Sequence, residues 1–450
     1  MTKEFLWNFI IFWGIWLLIP MMLDGVIAAK HIIFSWRMLR KEQREDKDLS
    51  ISYYPRVSIV VPVHNSEGTL HACLTSIFAQ NYPRERIEVF LIDNGSSDDS
   101  FRVFNRFSNA HGGLCLRWVR IEEAGKAKAL NSGVFLGNSE IIINLDSDAQ
   151  IGPNVVLETV HAMFLNDQVA GATGAILIDH KQINKKSLGL RLLQHCELLE
   201  YLEAFFVGRK YQSHRNRLFT LAGAFSCFNR RSLLNTHLYD SNSISEDTKM
   251  TFELRMRNDQ QKLIFMDKAK IYLEPISSWA KLYSQRVRWQ RGELEVISSY
   301  TELYKGSVLK LIRSFASRML FIDHTLMFPR IVWTVLTPLL VFVGYPLELI
   351  LLANFFVYLM YLFIDANYLL VAYFYLDKEY RAYLREHCWV IIFMPVFRFI
   401  VFWFRVAAMI HAITEPAQWN AENPVAQTRR ALRGLGKFVF RVLGRNKSSA

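Results

Sequence analysis

The segment Ile141-Ile142-Ile143-Asn144-Leu145-Asp146-Ser147-Asp148 joins a short, almost continuously apolar run to two carboxylates at its carboxyl end. An apolar run of that length without alternation is the pattern of a strand buried on both faces of a parallel sheet. Val57 to Val63 and Ile87 to Ile92 repeat the pattern, and Asp93 follows the second run as Asp146 follows the third. Between the runs the periodicity changes: Leu70, Cys73, Leu74, Ile77 and Phe78 have the spacing of one helix face. This alternation predicts an α/β domain over residues 56–300. In open α/β sheets ligands bind at the carboxyl ends of the strands, so Asp93, Asp146 and Asp148 are site candidates on topology alone.

The flanks have a different character. Of the 450 residues, 51% are hydrophobic, 14% aromatic and only 21% charged, with 33 Phe, which suggests a soluble domain joined to membrane spans. Residues 5–23 carry no charge, and the apolar stretch runs on past Asp24 and Lys30 to Trp36. It is long enough to cross a bilayer, and too long and too poor in small-x-small cleavage patterns for a cleaved leader. Arg37, Arg40, Lys41 and Arg44 follow at once and place the next domain in the cytoplasm by the positive-inside tendency. Beyond the α/β region, residues 303–315 mix basic and apolar positions, as an interfacial helix or a core helix would. Residues 319–376 hold apolar length for two spans, broken near Gly344 and Pro346. Residues 388–413 are apolar but carry Arg398 and Arg405, costly in lipid, so this segment is a span facing protein or water, a re-entrant hairpin or an interfacial helix. Arg429, Arg433, Lys437, Arg441 and Arg445 recur every fourth residue in a tail with no acid after Glu422, which suits an anionic cytoplasmic leaflet. The expected organisation is therefore a membrane segment (1–36), a basic linker (37–55), the α/β domain (56–300), an interfacial helix (301–318), two transmembrane helices (319–376), a third membrane segment (388–413) and a basic cytoplasmic tail (414–450).

Several function classes drop out. No Gly-x-Gly-x-x-Gly follows the first strand and no phosphate-loop Gly-Lys-Ser/Thr occurs, which argues against dehydrogenases and P-loop ATPases. The five cysteines are scattered without a Cys-x-x-Cys pair and read as buried thiols. The net charge of +12 clusters beside the apolar segments rather than over a soluble face, which disfavours nucleic acid. Asp146 and Asp148 offer hard oxygen donors to one side of a turn, suited to Mg2+ or Mn2+ bridging phosphates, although paired aspartates are also common in ordinary turns.

Five motifs in order make the case specific: Pro62-Val63-His64-Asn65; Asp93-Asn94-Gly95-Ser96-Ser97-Asp98; Gly125-Lys126-Ala127 leading into Ala129-Leu130-Asn131; Asp146-Ser147-Asp148; and Ser245-Glu246-Asp247 followed by Gln285-Arg286-Val287-Arg288-Trp289. Through residues 55–300 the chain resembles the processive family 2 glycosyltransferases of GT-A fold, which make cellulose, hyaluronan, chitin and poly-N-acetylglucosamine. Gly223-Ala224-Phe225 before Asn229-Arg230-Arg231, and Glu295 beyond Gln290-Arg291-Gly292, are most similar to the poly-β-1,6-N-acetylglucosamine synthase branch. The resemblance implies a Rossmann-like nucleotide-diphospho-sugar transferase domain in the cytosol with flanking transmembrane helices. It implies a UDP-sugar donor held by Pro62, Asn65, Asp93, Lys126, Asp146, Gln285 and Arg288, and an acceptor side of Gly223, Glu246 and Trp289. Asp148, with Asp146, would ligate Mg2+ or Mn2+, and Asp247 would be the general base. Two departures stand out: Ser245 replaces the family's threonine, and Asn94 replaces an acid. The implied protein is a multi-pass bacterial plasma-membrane enzyme that extends a polysaccharide, with an accessory membrane protein as a further partner. Single addition to a polyprenyl-phosphate or other lipid acceptor is the second enzyme reading, and an inactive scaffold subunit of a polysaccharide assembly complex the third.

Overall fold

The computed structural model describes residues 7, 24–42, 53–164, 168–258, 260–301 and 327–414. The chain divides into two compact units, Asp46–Val296 with Phe404–Ala450, and Met1–Glu45 with Ile297–Trp403. The first holds an eight-stranded sheet: β1 (Val57–Val63), β2 (Ile87–Asp93), β3 (Cys115–Arg120), β4 (Ile141–Leu145), β5 (Ala149–Ile151), β6 (Val169–Ile178), β7 (Phe225–Asn229) and β8 (Lys262–Leu273). Their order is β3-β2-β1-β4-β7-β6-β8-β5. β1 is parallel to both β2 and β4, and β2 to β3, which forms the Rossmann-like half. β7 then runs antiparallel between β4 and β6, so the sheet is mixed beyond the expected parallel part.

Every residue of β1 and β4 is buried, which is why their sequences show no alternation. Helix Lys126–Leu136 covers one face, with Ala127, Leu130 and Val134 packed against Val60, Phe90, Ile92 and Ile142. Its Gly133 is required by contact: a Cβ there would collide with the Val60 side chain, reaching 3.0 Å from Val60 Cβ. The helix thus lies backbone-close on β1, which brings Lys126, its first residue, to the carboxyl end of the sheet. Pro62 is tolerated in a central strand because β1 pairs with β4 only as far as Val60, so its missing N–H costs no bond there.

In the second unit, helix Met327–Leu339 leads to a turn at Gly344, whose φ of 89° is left-handed and suits glycine. Two helices are long and apolar enough to cross a membrane by length and composition: Leu347–Tyr375, of 29 residues, and Lys378–Ala412, of 35 residues, with mean hydropathy of 2.1 and 2.0 over an 18-residue stretch of each. The second begins ten residues before the predicted segment at Cys388, and includes a 3-10 turn at Cys388–Phe393. Leu351, Phe355 and Phe363 point outward from the first. Of the two arginines that looked costly, Arg398 pairs with the buried Asp365, and Arg405 Nε donates to Gln290 Oε1 at 2.5 Å. The charge-free stretch 8–23, most of the basic linker (43–52), the interfacial segment from 302 to 318, residues 319–326 and the tail from 415 lie outside the described residues.

Candidate active site

The site lies at the carboxyl ends of β1, β2 and β4 and is tied together loop by loop. Asp93, buried at the end of β2, accepts the Ser96 N–H at 2.8 Å and lies 3.7 Å from Arg120 Nε. Asn65 adopts a left-handed conformation with φ of 50°, for which Asn is suited, and its Oδ1 accepts the Ser97 N–H at 2.9 Å. Asn65 therefore organises the Asp93 loop. Next to it, Ser66 Oγ meets Ser147 Oγ at 2.7 Å, joining the loop after β1 to the Asp146-Ser147-Asp148 turn.

That turn is closed by the Ala149 N–H donating to Asp146 O, and the Asp146 N–H donates to Ala224 O at 3.1 Å. The antiparallel β7 is what places Ala224 and Gly223 beside β4. Lys126 Nζ donates to Asp146 Oδ2 at 2.9 Å, sits 2.6 Å from its Oδ1, and lies 3.6 Å from Glu246 Oε1. Burial works against the ammonium, but Asp146 and then Glu246 outweigh it and hold the lysine above its ordinary range. Glu246 and Asp247 open helix Glu246–Arg257, where acids suit the positive end of the helix dipole. Asp247 Oδ2 accepts the Gly223 N–H at 3.0 Å and Oδ1 the Thr248 N–H at 2.7 Å. A Cβ on Gly223 would lie 3.3 Å from Asp247 Oδ2 and 3.4 Å from Lys126 Nζ, so the chain must be bare there. Burial and then repulsion from Asp247 push the Glu246 carboxyl up, with Lys126 opposing.

Asp148 is exposed at the turn after β4; desolvation first, and the Asp146 carboxylate second, raise its pKa to about 6. Asp146 and Asp148, two hard oxygen donors that repel each other at the end of β4, are a donor pair that fits a divalent cation. Among the described residues no group of three or more His, Cys, Asp or Glu could enclose a metal by itself.

The predicted Gln285, Arg288 and Trp289 lie on helix Trp279–Thr301. Gln285, Arg288, Gly292 and Glu295 are spaced as one helix stripe. The stripe meets the acid loop at its far end, where Gly292 lies against Ser245 and Glu295 Oε2 accepts the Ile244 N–H at 3.4 Å. Trp289 meets Phe205 edge to face at 5.5 Å between ring centroids, and Arg286 lies 4.3 Å over the Trp289 ring. The structure thus links Asp93, Asn65, Asp146, Lys126, Gly223, Glu246 and Asp247 in one bonded network, and places Gln285 and Trp289 on its neighbouring helix. Three further residues were given no role by the sequence. Ser147 acts through its Ser66 contact, and Arg286 through Glu200 and Gln285. Arg209 is buried beside Phe205. For Ser147 and Arg286 it is partners distant along the chain, Ser66 and Glu200, that identify them.

A mixed sheet with acids at the ends of β2 and β4, and a second acid pair brought opposite by β7, defines a transferase domain of the GT-A class. The mannosyltransferase PcManGT of Pyrobaculum calidifontis, solved with GDP-mannose and Mn2+, shares this fold with a TM-score of 0.59 and 16% identity, over 88% of this chain and 99% of that one. The family model described as glycosyltransferase like family 2 matches residues 55–292, more than half of the chain, and the protein belongs to that family. Poly-beta-1,6-N-acetyl-D-glucosamine synthase of Staphylococcus epidermidis is 24% identical over 295 residues, which cover 65% of this chain and 66% of the relative. The probable glycosyltransferase YdaM of Bacillus subtilis is 25% identical over 273 residues, covering 60% and 62%. The chain matches just under two thirds of the length of these curated relatives.

Proposed function

We propose that the protein is a membrane-embedded inverting glycosyltransferase that moves an N-acetylhexosamine or hexose from a UDP-sugar to a growing polysaccharide and passes the product through its own spans. One observation carries the reading: Asp146 from the end of β4, and Glu246 from the same helix start as Asp247, converge on Lys126. A cleft with carboxylates on both sides and one lysine between them suits a sugar diphosphate whose leaving group must be neutralised on one side while a proton departs on the other.

In this scheme Pro62, Asn65 and Asp93 shape the nucleoside end, and Lys126, Gln285 and Arg288 hold the diphosphate. Asp148, with Asp146, would ligate Mg2+ or Mn2+, which supplies charge stabilisation to the departing diphosphate. Asp247 takes the proton from the acceptor hydroxyl as its oxygen bonds to the anomeric carbon and the bond from that carbon to the diphosphate oxygen breaks. Inversion needs that base across the sugar from the leaving group, and such a base contributes roughly 10²- to 10⁴-fold. Gly223, Glu246 and Trp289 line the acceptor side. The staphylococcal relative, named as a poly-N-acetylglucosamine synthase, favours an N-acetylhexosamine. The two long apolar helices and the neutralised Arg398 support residence in a bacterial plasma membrane, with the sheet domain on the cytoplasmic side.

The test is incubation of the purified full-length protein with radiolabelled UDP-N-acetylglucosamine and Mn2+. A high-molecular-weight ladder that disappears on chelation, and in Asp148→Ala and Asp247→Asn, is the expected result. One organic-soluble product would point instead to a polyprenyl-phosphate acceptor. Full activity in Asp247→Asn would overturn the assignment of the base.

A further inference from the structure

Lys126, Asp146 and Glu246 reach the site from three separate segments, and one side chain beneath them touches all three. Tyr239, only 4% exposed, lies in the irregular stretch before helix Glu246–Arg257. Asn131, on the helix that Lys126 begins, grips its backbone twice: Asn131 Oδ1 accepts the Tyr239 N–H at 2.9 Å, and Asn131 Nδ2 donates to Tyr239 O at 2.8 Å. The Tyr239 hydroxyl takes a third bond, from Nδ2 of the buried Asn144 on β4, two residues before Asp146. Its ring meets Phe228 of β7 edge to face, in one core cluster with Leu130 and Val134 of the first helix and Met250 and Leu254 of the acid helix.

Tyr239 lies outside the sheet, so its buried backbone groups need a partner from elsewhere. A primary amide, with an acceptor and donors in one plane, can serve both the N–H and the C=O of a single residue. The residue before it is strained. Leu238 has a φ of 61°, a left-handed conformation that is an outlier for a bulky side chain. Such strain persists where surrounding bonds over-determine it, and it recurs at functional sites. Here the Leu238 N–H donates to Thr236 Oγ1 at 3.1 Å, and the Asn131 pair fixes the next residue.

From Tyr239 the hold passes to the acids. Asp240 pairs with Lys249, and Thr236 Oγ1 lies 3.7 Å from Met250 Sδ. Lys249 and Met250 follow Asp247 within one turn of the same helix. The stretch is thus fastened at one residue to helix Lys126–Leu136 and at two to the acid helix. Lys126 does not shift with it, because Gly133 seats its own helix directly on Val60.

We infer that Asn131 and Tyr239 are positioning residues that set where Glu246 and Asp247 stand relative to Lys126 and Asp146. The inference rests on the proposed role of Asp247, and deepens it by naming what holds that residue in register.

Two measurements on the full-length protein test it. The first is hydrogen exchange without substrate. In Asn131→Ala the amides of residues 236–250 should exchange at least about 10-fold faster, while residues 87–105 keep the wild-type rate because Asn65 holds the Asp93 loop independently. Unchanged exchange in 236–250 overturns the inference even if no donor is ever turned over. The second uses UDP-N-acetylglucosamine. Asn131→Ala should lower kcat about 10- to 100-fold, as a shift of about 1 Å at a reacting group does, while KM for the donor and UDP affinity by calorimetry change less than about threefold. Asn131→Asp keeps the bond from the Tyr239 N–H, and is the variant to use if the alanine protein does not fold. It should show the same split between kcat and UDP affinity. Tyr239→Phe retains both bonds to Asn131 and loses only Asn144, so its kcat should fall less than that of Asn131→Ala. UDP affinity that falls as far as kcat would mark a general loss of structure and refute the role. Faster exchange with wild-type kcat refutes it too, and Asp247→Asn then separates the two failures: an inactive Asp247→Asn leaves the base assignment standing, and an active one removes it.

Discussion

Substituting alanine for Gly292 tests whether helix Trp279–Thr301 positions Asp247, the proposed base. The new Cβ would lie 2.5 Å from Ser245 Oγ and closer still to Ser245 Cβ. Ordinary contact needs about 3.5 Å, so the helix and the Ser245 segment must separate by about 1 Å. Ser245 O accepts the Lys249 N–H at 3.0 Å, so Ser245 moves with the start of helix Glu246–Arg257 and carries Asp247 away from Gly223. Overpacking of this kind costs about 1–3 kcal/mol of stability. A displacement of about 1 Å at a reacting group can cost about 10²-fold in rate. The expected outcome is a lowered Tm and a kcat down about 100-fold, with UDP affinity changed less than about threefold because Asp93 and its loop do not move. Adding Ser245→Gly removes the colliding atoms and should restore most of both losses. Gly189→Ala is the control: a Cβ there meets nothing within 4 Å and should be silent. Wild-type turnover in Gly292→Ala, or strictly additive losses in the double variant, would refute the coupling between this helix and the base.

Lys126→Met leaves Asp146 and Glu246 without their cation, and should cost about 2 kcal/mol by thermal unfolding, as charged hydrogen bonds do, and abolish UDP-sugar binding by calorimetry. Glu197 is raised to about 7, by burial first, against the Ile276 N–H and Arg286. Its native form holds a proton that the unfolded chain releases near the ordinary glutamate value, so its contribution is fully present below that value and is lost as pH rises to about 7. Glu197→Gln should therefore raise Tm relative to wild type at pH 8 and change it little at pH 4, and equal shifts at both would contradict the burial argument. Asp365→Ala strands Arg398 and should lower Tm or detergent half-life strongly, since breaking a buried pair costs about 3–5 kcal/mol, whereas Asp365→Ala with Arg398→Met should recover much of the loss.

Nearly continuous apolar runs at Val57–Val63, Ile87–Ile92 and Ile141–Leu145 were sufficient to place β1, β2 and β4, because strands covered on both faces need no alternation. The acids that follow them could be assigned to a site on the same ground, since side chains at strand ends are positioned by local chain direction. β3 gave a weaker signal: as an edge strand it is partly exposed along its length. The antiparallel insertion of β7 between β4 and β6 could not be read at all, because strand order depends on pairing between residues far apart in the chain.

Resemblance of the ordered motifs to the family singled out Lys126, Asp146, Asp148, Glu246, Asp247, Gln285, Arg288 and Trp289, and apolar length marked the two long helices. Tertiary structure decided what those patterns could not: that Lys126 is shared between Asp146 and Glu246, that Arg398 finds Asp365, and that Arg209 and Arg286 are buried rather than exposed. The division has a physical cause. Periodicity and turn chemistry are written within a dozen neighbouring residues, whereas burial and charge compensation are properties of whatever side chain arrives from elsewhere, here 120 residues away for Lys126 and Glu246.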